Sequence, residues 1–368
     1  MRAISVNMVR IPTKGPGDVS GLMRLIDAGE VAPSSILAVL GKTEGNGGVN
    51  DFTREYAVAA LCEALSPHLG VAPRAVEDKI AFVMSGGTEG VLSPHLTVFA
   101  RTLSADAPNG GTTAKRLSIG IAHTRDFLPE EIGRTVQIEE TVKAVQSAMR
   151  DAGIADAGDV HFVQIKCPLL TSERIEAAHH RGHKTVTTSG YASMGYSRGA
   201  SALGVARALG EIDGAINEDR VLKDWDLFSS VASSSAGIEL MHNVVIVMGN
   251  SVLSLSPFVI GHAVMNDSID LSSVIAALKS VGLGLADAQS TNRLVNIFAK
   301  AEASPDGCVR GFRHTMLDDS DVGSTRHARA AVGGLISGLS GTGAVYVSGG
   351  AEHQGPPGGG PVAVIARV

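Results

Sequence analysis

Apolar and polar positions along this chain follow two periods. Short aliphatic runs read as strands, and longer stretches with apolar residues three and four apart read as helices. Three strand-like runs end at a lysine: Ile36 to Lys42, His161 to Lys166 and Leu294 to Lys300. In front of each lies a helical pattern, over 21–28, 139–152 and 272–281, with a glycine near its end as a stop signal. After each lysine, a hydroxyl residue and an arginine (Thr53-Arg54, Ser197-Arg198 and Thr325-Arg326) open an Ala-rich helical stretch, the hydroxyl reading as the N-cap.

Further apolar runs end in a serine. Ser85, Ser235 and Ser348 each have a glycine two positions later and a glutamate four positions later, as Gly87 and Glu89, Gly237 and Glu239, Gly350 and Glu352. A second apolar run follows each copy, at 91–95, 254–258 and 361–365. Each unit therefore reads helix, strand with Lys, helix with Arg, strand with Ser, strand, over 1–104, 112–250 and 255–368. A repeat kept for packing would retain apolar positions; this one retains one lysine, one arginine and one serine per copy. The expected fold is α/β, with three similar units around a pseudo-threefold axis, strands forming a central barrel-like core and helices outside.

Composition narrows the function classes. The 368 residues are enough for two or three domains, and 44 Gly with only 4% aromatics describe a glycine-rich α/β enzyme. Lys and Arg total 31 against 37 Asp and Glu, a net charge of −6 with no long basic run, which argues against nucleic-acid and membrane-surface partners. Cys62, Cys167 and Cys308 are odd in number and form no CxxC pair, so neither a disulfide framework nor a thiolate zinc site is expected. With neither a signal-peptide core nor a membrane-length apolar run, the chain reads as soluble and cytoplasmic from Met1.

Three units around one axis would bring Lys42, Lys166 and Lys300, three arginines, and Ser85, Ser235 and Ser348 into one cationic, trigonal cavity. Each Ser and the residue after it, in Ser85-Gly86, Ser235-Ala236 and Ser348-Gly349, offers a hydroxyl and a backbone N–H, and each Arg offers planar donors to a carbonyl. A ring with three carbonyls, such as a cyclic triimide or a pyrimidinetrione, fits that geometry. No histidine recurs to serve as base, whereas lysine does. Burial and neighbouring positive charge lower a lysine's pKa and leave a neutral amine able to take the serine proton. The implied reaction is serine attack on a ring carbonyl, ring opening, and hydrolysis of the acyl-enzyme. The rival class is a binding protein that holds such a ring without turning it over.

Other signals are weaker. Gly41-Lys42-Thr43 ends like a phosphate loop, but Ile36 stands where its first glycine belongs. His179, His180 and His183 read as a solvated helix end, Cys167 as facing away from a cavity that Lys166 faces, the acidic run 318–323 as a solvated loop, and His95 as a satisfied core histidine.

The segments Gly41 to Asp51, Met84 to His95 and Ser348 to Pro356 resemble the ring-opening amidohydrolases, a family that comprises enzymes opening cyanuric acid and enzymes opening barbituric acid. The resemblance covers essentially the whole chain. It implies three similar units, a homotetramer, and ring-amide hydrolysis with no catalytic metal or other catalytic cofactor. It further implies that only the middle dyad, Ser235 with Lys166, is catalytic; Ser233 and Ser234 remain alternatives, and Ser235 is preferred for its spacing from Glu239. Implied substrate contacts are Arg54, Ser85, Gly86, Arg198, Ser235, Ala236, Arg326, Ser348, Gly349, Lys42 and Lys300, with Arg326 preferred over Arg329 for its preceding Thr325. A structural Mg²⁺ or Ca²⁺ in the third unit is implied at Glu302, Ala351, Gln354, Gly355, Pro356 and Gly359. The runs around Ser85 and Asp51 look more like those of the cyanuric acid enzymes, which release carboxybiuret, a precursor of biuret; barbituric acid opening is the alternative.

Overall fold

The computed structural model describes residues 3–104, 114–290 and 292–368. The expected unit starts at 1 and 112 lie outside the described residues. The chain forms an α/β fold of three four-stranded mixed sheets. The first comprises β1 (Ala3–Pro12), β2 (Ile36–Thr43), β3 (Ala81–Gly86) and β4 (His95–Ser104), in the order β1-β4-β2-β3. The second comprises β5 (Arg116–His123), β6 (Val160–Pro168), β7 (Ala232–Gly237) and β8 (Val244–Ser251), ordered β5-β8-β6-β7. The third is built from β9 (Phe258–Met265), β10 (Leu294–Ala301), β13 (Tyr346–Gly349) and β14 (Gly360–Arg367), ordered β9-β14-β10-β13; β11 (Cys308–Val309) and β12 (Phe312–Arg313) form a separate hairpin. In every sheet one strand pair is parallel, β2 with β3, β6 with β7 and β10 with β13.

The lysine strands and the helices before them form where periodicity places them. α1 (Ser20–Asp27), α3 (Thr135–Asp151) and α6 (Leu271–Ser280) precede β2, β6 and β10. Each is followed by a glycine with left-handed backbone, Gly29, Gly153 or Gly282, at φ of +73°, +64° and +74°. The arginine helices are α2 (Phe52–Leu69), α5 (Gly190–Ala208) and α8 (Ser324–Ser340), with α4 (Ser172–His180) and α7 (Leu285–Ser290) as additional helices. The expected hydroxyl caps are displaced: Asp51 caps α2, Ser189 caps α5 and Gly323 precedes α8, so Thr53 and Thr325 lie in first turns and Ser197 lies well inside its helix. Asp51 and Ser189 accept backbone N–H groups two and three residues on, which is why the helices start there.

Two further expectations change. The unit begins with a strand, β1, β5 or β9, that the repeat pattern left out. The strand after Ser235 is β8; the run at 254–258 instead leads into β9.

The expected barrel is not closed among the described residues. One face of each sheet points inward to a shared core that includes Val6, Leu40, Phe99, Phe162, Phe258, Phe298 and Tyr346. Phe298 packs against Phe99, Phe162 and Tyr346 with ring centroids 5.4–6.4 Å apart. Among the described residues no ladder joins one sheet to another; Ile4 of β1 bridges only to Ser254 in the connection between β8 and β9, and side-chain packing joins the sheets. The outer faces carry the helices, as expected, each over its own apolar layer. No described helix is long and apolar enough to cross a membrane.

Candidate active site

Period-two alternation decides what reaches the centre. Ala38 and Leu40 face the shared core on β2, and Lys42 continues that row; Phe162 leads to Lys166, and Phe298 to Lys300. Cys167, next to Lys166, falls on the helix side, as expected. In each parallel pair the lysine lies beside a serine in register: Lys42 with Ser85, Lys166 with Ser235, Lys300 with Ser348.

The three serines meet. Ser348 Oγ lies 3.4 Å from Ser85 Oγ and 3.1 Å from Ser235 Oγ. Around them is a small cavity lined by Arg54, Ser85, Gly86, Arg198, Ser235, Ala236, Ser348 and Gly349, all anticipated, together with Gly47, Met194 and Arg329. Gly47 lies in a glycine-rich loop and Met194 one helical turn before Arg198; that i, i+4 spacing was the available signal for the methionine.

Arg329 lines this cavity, and the expected Arg326 does not. Both reach Glu89, but Arg326 does so from outside with a side chain 43% exposed, whereas Arg329 is buried and donates from Nε and Nη2 at 2.8 and 2.6 Å. Arg329 stands one helical turn further into α8 than Arg326, and that turn is the one that reaches the cavity.

Of the neighbouring serines, Ser233 donates to Gln164 Oε1 at 2.9 Å, below the cavity. Ser234 alternates to the opposite face of β7. Ser235 is the one that lines the cavity.

The lysines sit directly behind the serines, all buried. Lys42 Nζ donates to Ser85 Oγ at 3.0 Å, and Lys300 Nζ donates to Ser348 Oγ at 3.3 Å and to the carbonyls of Ser234 and Gly349 at 2.8 and 2.9 Å. Lys166 Nζ turns to Glu239 Oε1 at 2.6 Å and to the Met84 carbonyl at 3.4 Å. Burial lowers the pKa of all three. Arg329 adds to the fall at Lys42, and Arg198 helps bring Lys300 to about 7. At Lys166 the Glu239 carboxylate opposes the fall.

Arginine and glutamate link one sheet's unit to another's. Arg198 grips Glu352 from Nε at 2.7 Å and Nη2 at 2.5 Å, and Arg329 grips Glu89 in the same bidentate manner. Burial would raise the Glu352 carboxyl, but Arg198 outweighs it and holds the value down to about 2.

Around the expected cation ligands, the Glu302 carboxyl is pushed up by burial and then by Glu352. Thr325 Oγ1 lies 3.4 Å from both of its oxygens. The Gln354 side chain accepts from Ser234 N at 2.7 Å and donates to the Gly350 carbonyl. Among the described residues no three His, Cys, Asp or Glu side chains gather as ligands. A buried carboxylate raised by a like charge, beside a glycine-rich loop, is a donor set that fits one hard cation.

The set-aside signals fall mostly as expected. His179, His180 and His183 are solvent-exposed around the end of α4, and the run at 318–323 is a loop. His95 is buried with Nδ1 on the Ser93 carbonyl, but its Nε2 has no partner among the described residues, and burial lowers its pKa to about 4.

Comparison with known proteins agrees with this architecture. Residues 7–367 match the family described as "Amidohydrolase ring-opening protein". The chain is 72% identical to the cyanuric acid amidohydrolase of Bradyrhizobium diazoefficiens over 100% of both chains, and 61% identical to that of Pseudomonas sp. strain ADP over 98% of this chain and 99% of the other. Among solved structures, one cyanuric acid hydrolase superposes with a TM-score of 0.95 at 59% identity, covering 100% of both chains. A second, from A. caulinodans, gives 0.90 at 48% identity over 99% of each.

Proposed function

The chain belongs to the amidohydrolase ring-opening family, and from that premise we propose that it hydrolyses cyanuric acid in the central cavity, with Ser235 as nucleophile and Lys166 as base. The observation that carries the reading is the convergence of three in-register Lys–Ser pairs and three arginines on one small cavity. We read the three sheets as copies about a pseudo-threefold axis, which suits a ring with three equivalent carbonyls better than barbituric acid.

Ser235 Oγ attacks one ring carbonyl as its proton passes to the neutral Lys166 amine. Arginine and backbone N–H groups beside the serines hold the oxyanion. Collapse breaks the ring C–N bond, and the Lys166 proton passes to the departing nitrogen. Water then releases carboxybiuret from the serine, and loss of CO₂ yields biuret. Ser85, Gly86, Ser348, Gly349, Ala236, Arg54, Arg198 and Arg329 hold the other oxygens, with Lys42 and Lys300 behind them. In the third unit, Glu302 and backbone oxygens of Ala351, Gln354, Gly355, Pro356 and Gly359 would hold a structural Mg²⁺ or Ca²⁺. The assembly is a cytoplasmic homotetramer.

One distance favours a second reading: Lys42 already touches Ser85 at 3.0 Å, whereas Lys166 turns to Glu239. Steady-state assays with cyanuric and barbituric acid, on the parent and on Ser85→Ala, Ser235→Ala and Ser348→Ala, separate the readings. Ser235→Ala is expected to lower kcat by about a thousandfold or more, with smaller losses at the other serines. A larger loss in Ser85→Ala moves the nucleophile there. Binding of cyanuric acid by the parent without turnover would leave a binding protein.

A further inference from the structure

The three serine copies carry the same glutamate four residues on, yet the three glutamates are not used alike. Glu89 and Glu352 are each locked by two hydrogen bonds or more from an arginine of another unit, Arg329 and Arg198. By the same rule Glu239 should be held by Arg54. It is not: Arg54 gives Nη1 to the Ala236 carbonyl at 3.1 Å and Nη2 to the Gly48 carbonyl at 2.7 Å, while its buried Nε has no hydrogen-bond partner among the described residues. The freed carboxylate closes on Lys166 at 2.6 Å.

The backbone carries the same break independently. Gly87 and Gly350 adopt left-handed φ of +110° and +77°, and a Cβ on either would stand within 2.5 Å of an arginine guanidinium, that of Arg329 or of Arg198. Gly237, at the equivalent place, is the last residue of β7, is not left-handed, and is covered by Glu239, whose Oε2 would lie 2.1 Å from a Cβ. Where the outer copies seat an arginine, the middle copy seats its own glutamate.

We propose that Glu239 is the positioning residue of the catalytic pair, holding the Lys166 ammonium beside Ser235 and thereby setting the middle Lys–Ser pair apart from the other two. The proposal rests on the assignment of Ser235 and Lys166 given above. Lys166 as the free amine takes the Ser235 proton when Oγ bonds to the ring carbon. The ammonium so formed faces a carboxylate that holds it until the same proton leaves with the ring nitrogen. Lys42 and Lys300 lack this arrangement, because the corresponding carboxylates are committed to arginine. The carboxylate's outer side, about a third exposed, opens on a separate cleft. The charged groups facing the pair are Arg54 from α2, Arg174 from α4 and Glu77 from the turn before β3, with Glu55, Asp78, His123 and His242 across the cleft.

Glu239→Gln keeps the shape and removes the charge. Without the carboxylate the Lys166 ammonium is less favoured, its pKa falls, and the neutral amine persists to lower pH. The acid limb of the kcat/KM profile is therefore expected to move to lower pH by about one unit or more, with kcat at neutral pH down about tenfold or more and KM little changed. Glu239→Asp should restore part of kcat. Glu89→Gln, which loosens Arg329, should raise KM and leave the acid limb in place. An unmoved limb in Glu239→Gln, with Ser235→Ala and Lys166→Met still inactive, overturns this proposal alone. Activity surviving in Ser235→Ala or Lys166→Met overturns the dyad assignment instead. Thermal melts of every variant separate a folding defect from either result.

Discussion

Arg326 and Arg329 stand one helical turn apart on α8 and share Glu89, yet only the second lines the cavity. Their substitutions should therefore part company. Arg329→Ala is expected to raise KM for cyanuric acid by about tenfold or more, since it removes a planar, desolvated donor set and leaves Glu89 underpaired. Arg326→Ala removes one exposed contact and should change KM by no more than about threefold. Steady-state kinetics on the two variants checks this, and equal effects would return Arg326 to the site. The same pair shows the limit of residue-level reading. A hydroxyl before an arginine pointed to Arg54 and Arg198, which line the cavity, but in α8 it pointed to Arg326, one turn before the arginine that does. Nothing in a single sequence says which side of a helix start faces a cavity.

At the level of elements, the lysine strands were read more reliably than the starts of the arginine helices. The lysine strands come within two residues of their predicted bounds, because a short aliphatic run ending at a polar residue has little other way to pack. The first strand of each unit escaped notice because it carries no chemistry and so no repeat signal. The in-register Lys–Ser pairing follows from parallel strands, whose adjacency the sequence implied only through repetition. Glycine roles also separate at this scale. Gly350 is left-handed and crowded by Arg198, so Gly350→Ala should cost about 1–2 kcal/mol in urea unfolding and weaken the grip on Glu352. Gly334 lies within α8 with open space where a Cβ would be, and Gly334→Ala should stabilise by about 0.5–1 kcal/mol. The same sign for both would refute this division.

Across the molecule's described residues, three sheets meet through side chains rather than a closed ladder, so anything that ties loops to the common centre matters. A cation at Glu302 would relieve the like charge from Glu352 and fix the loop after β13. Chelation is therefore expected to lower the melting temperature by several degrees, restored by Mg²⁺ or Ca²⁺. Sedimentation velocity on the same samples reads whether the mass is that of a tetramer. An unchanged melt after chelation, with no metal detected by elemental analysis, removes the cation.

The arginine clamps also bear on how the chain reaches its working form. Arg198 and Glu352 are 154 positions apart in sequence, and Arg329 and Glu89 are 240 apart. Each closes a loop spanning much of the polypeptide, whereas the helices and hairpins inside a unit close short ones. Long closures come late in folding. During refolding, helical signal should therefore return well before ring-opening activity, and a nascent chain should be inert until its final strands have been made. The cavity is assembled last because no single unit contains a whole copy of it.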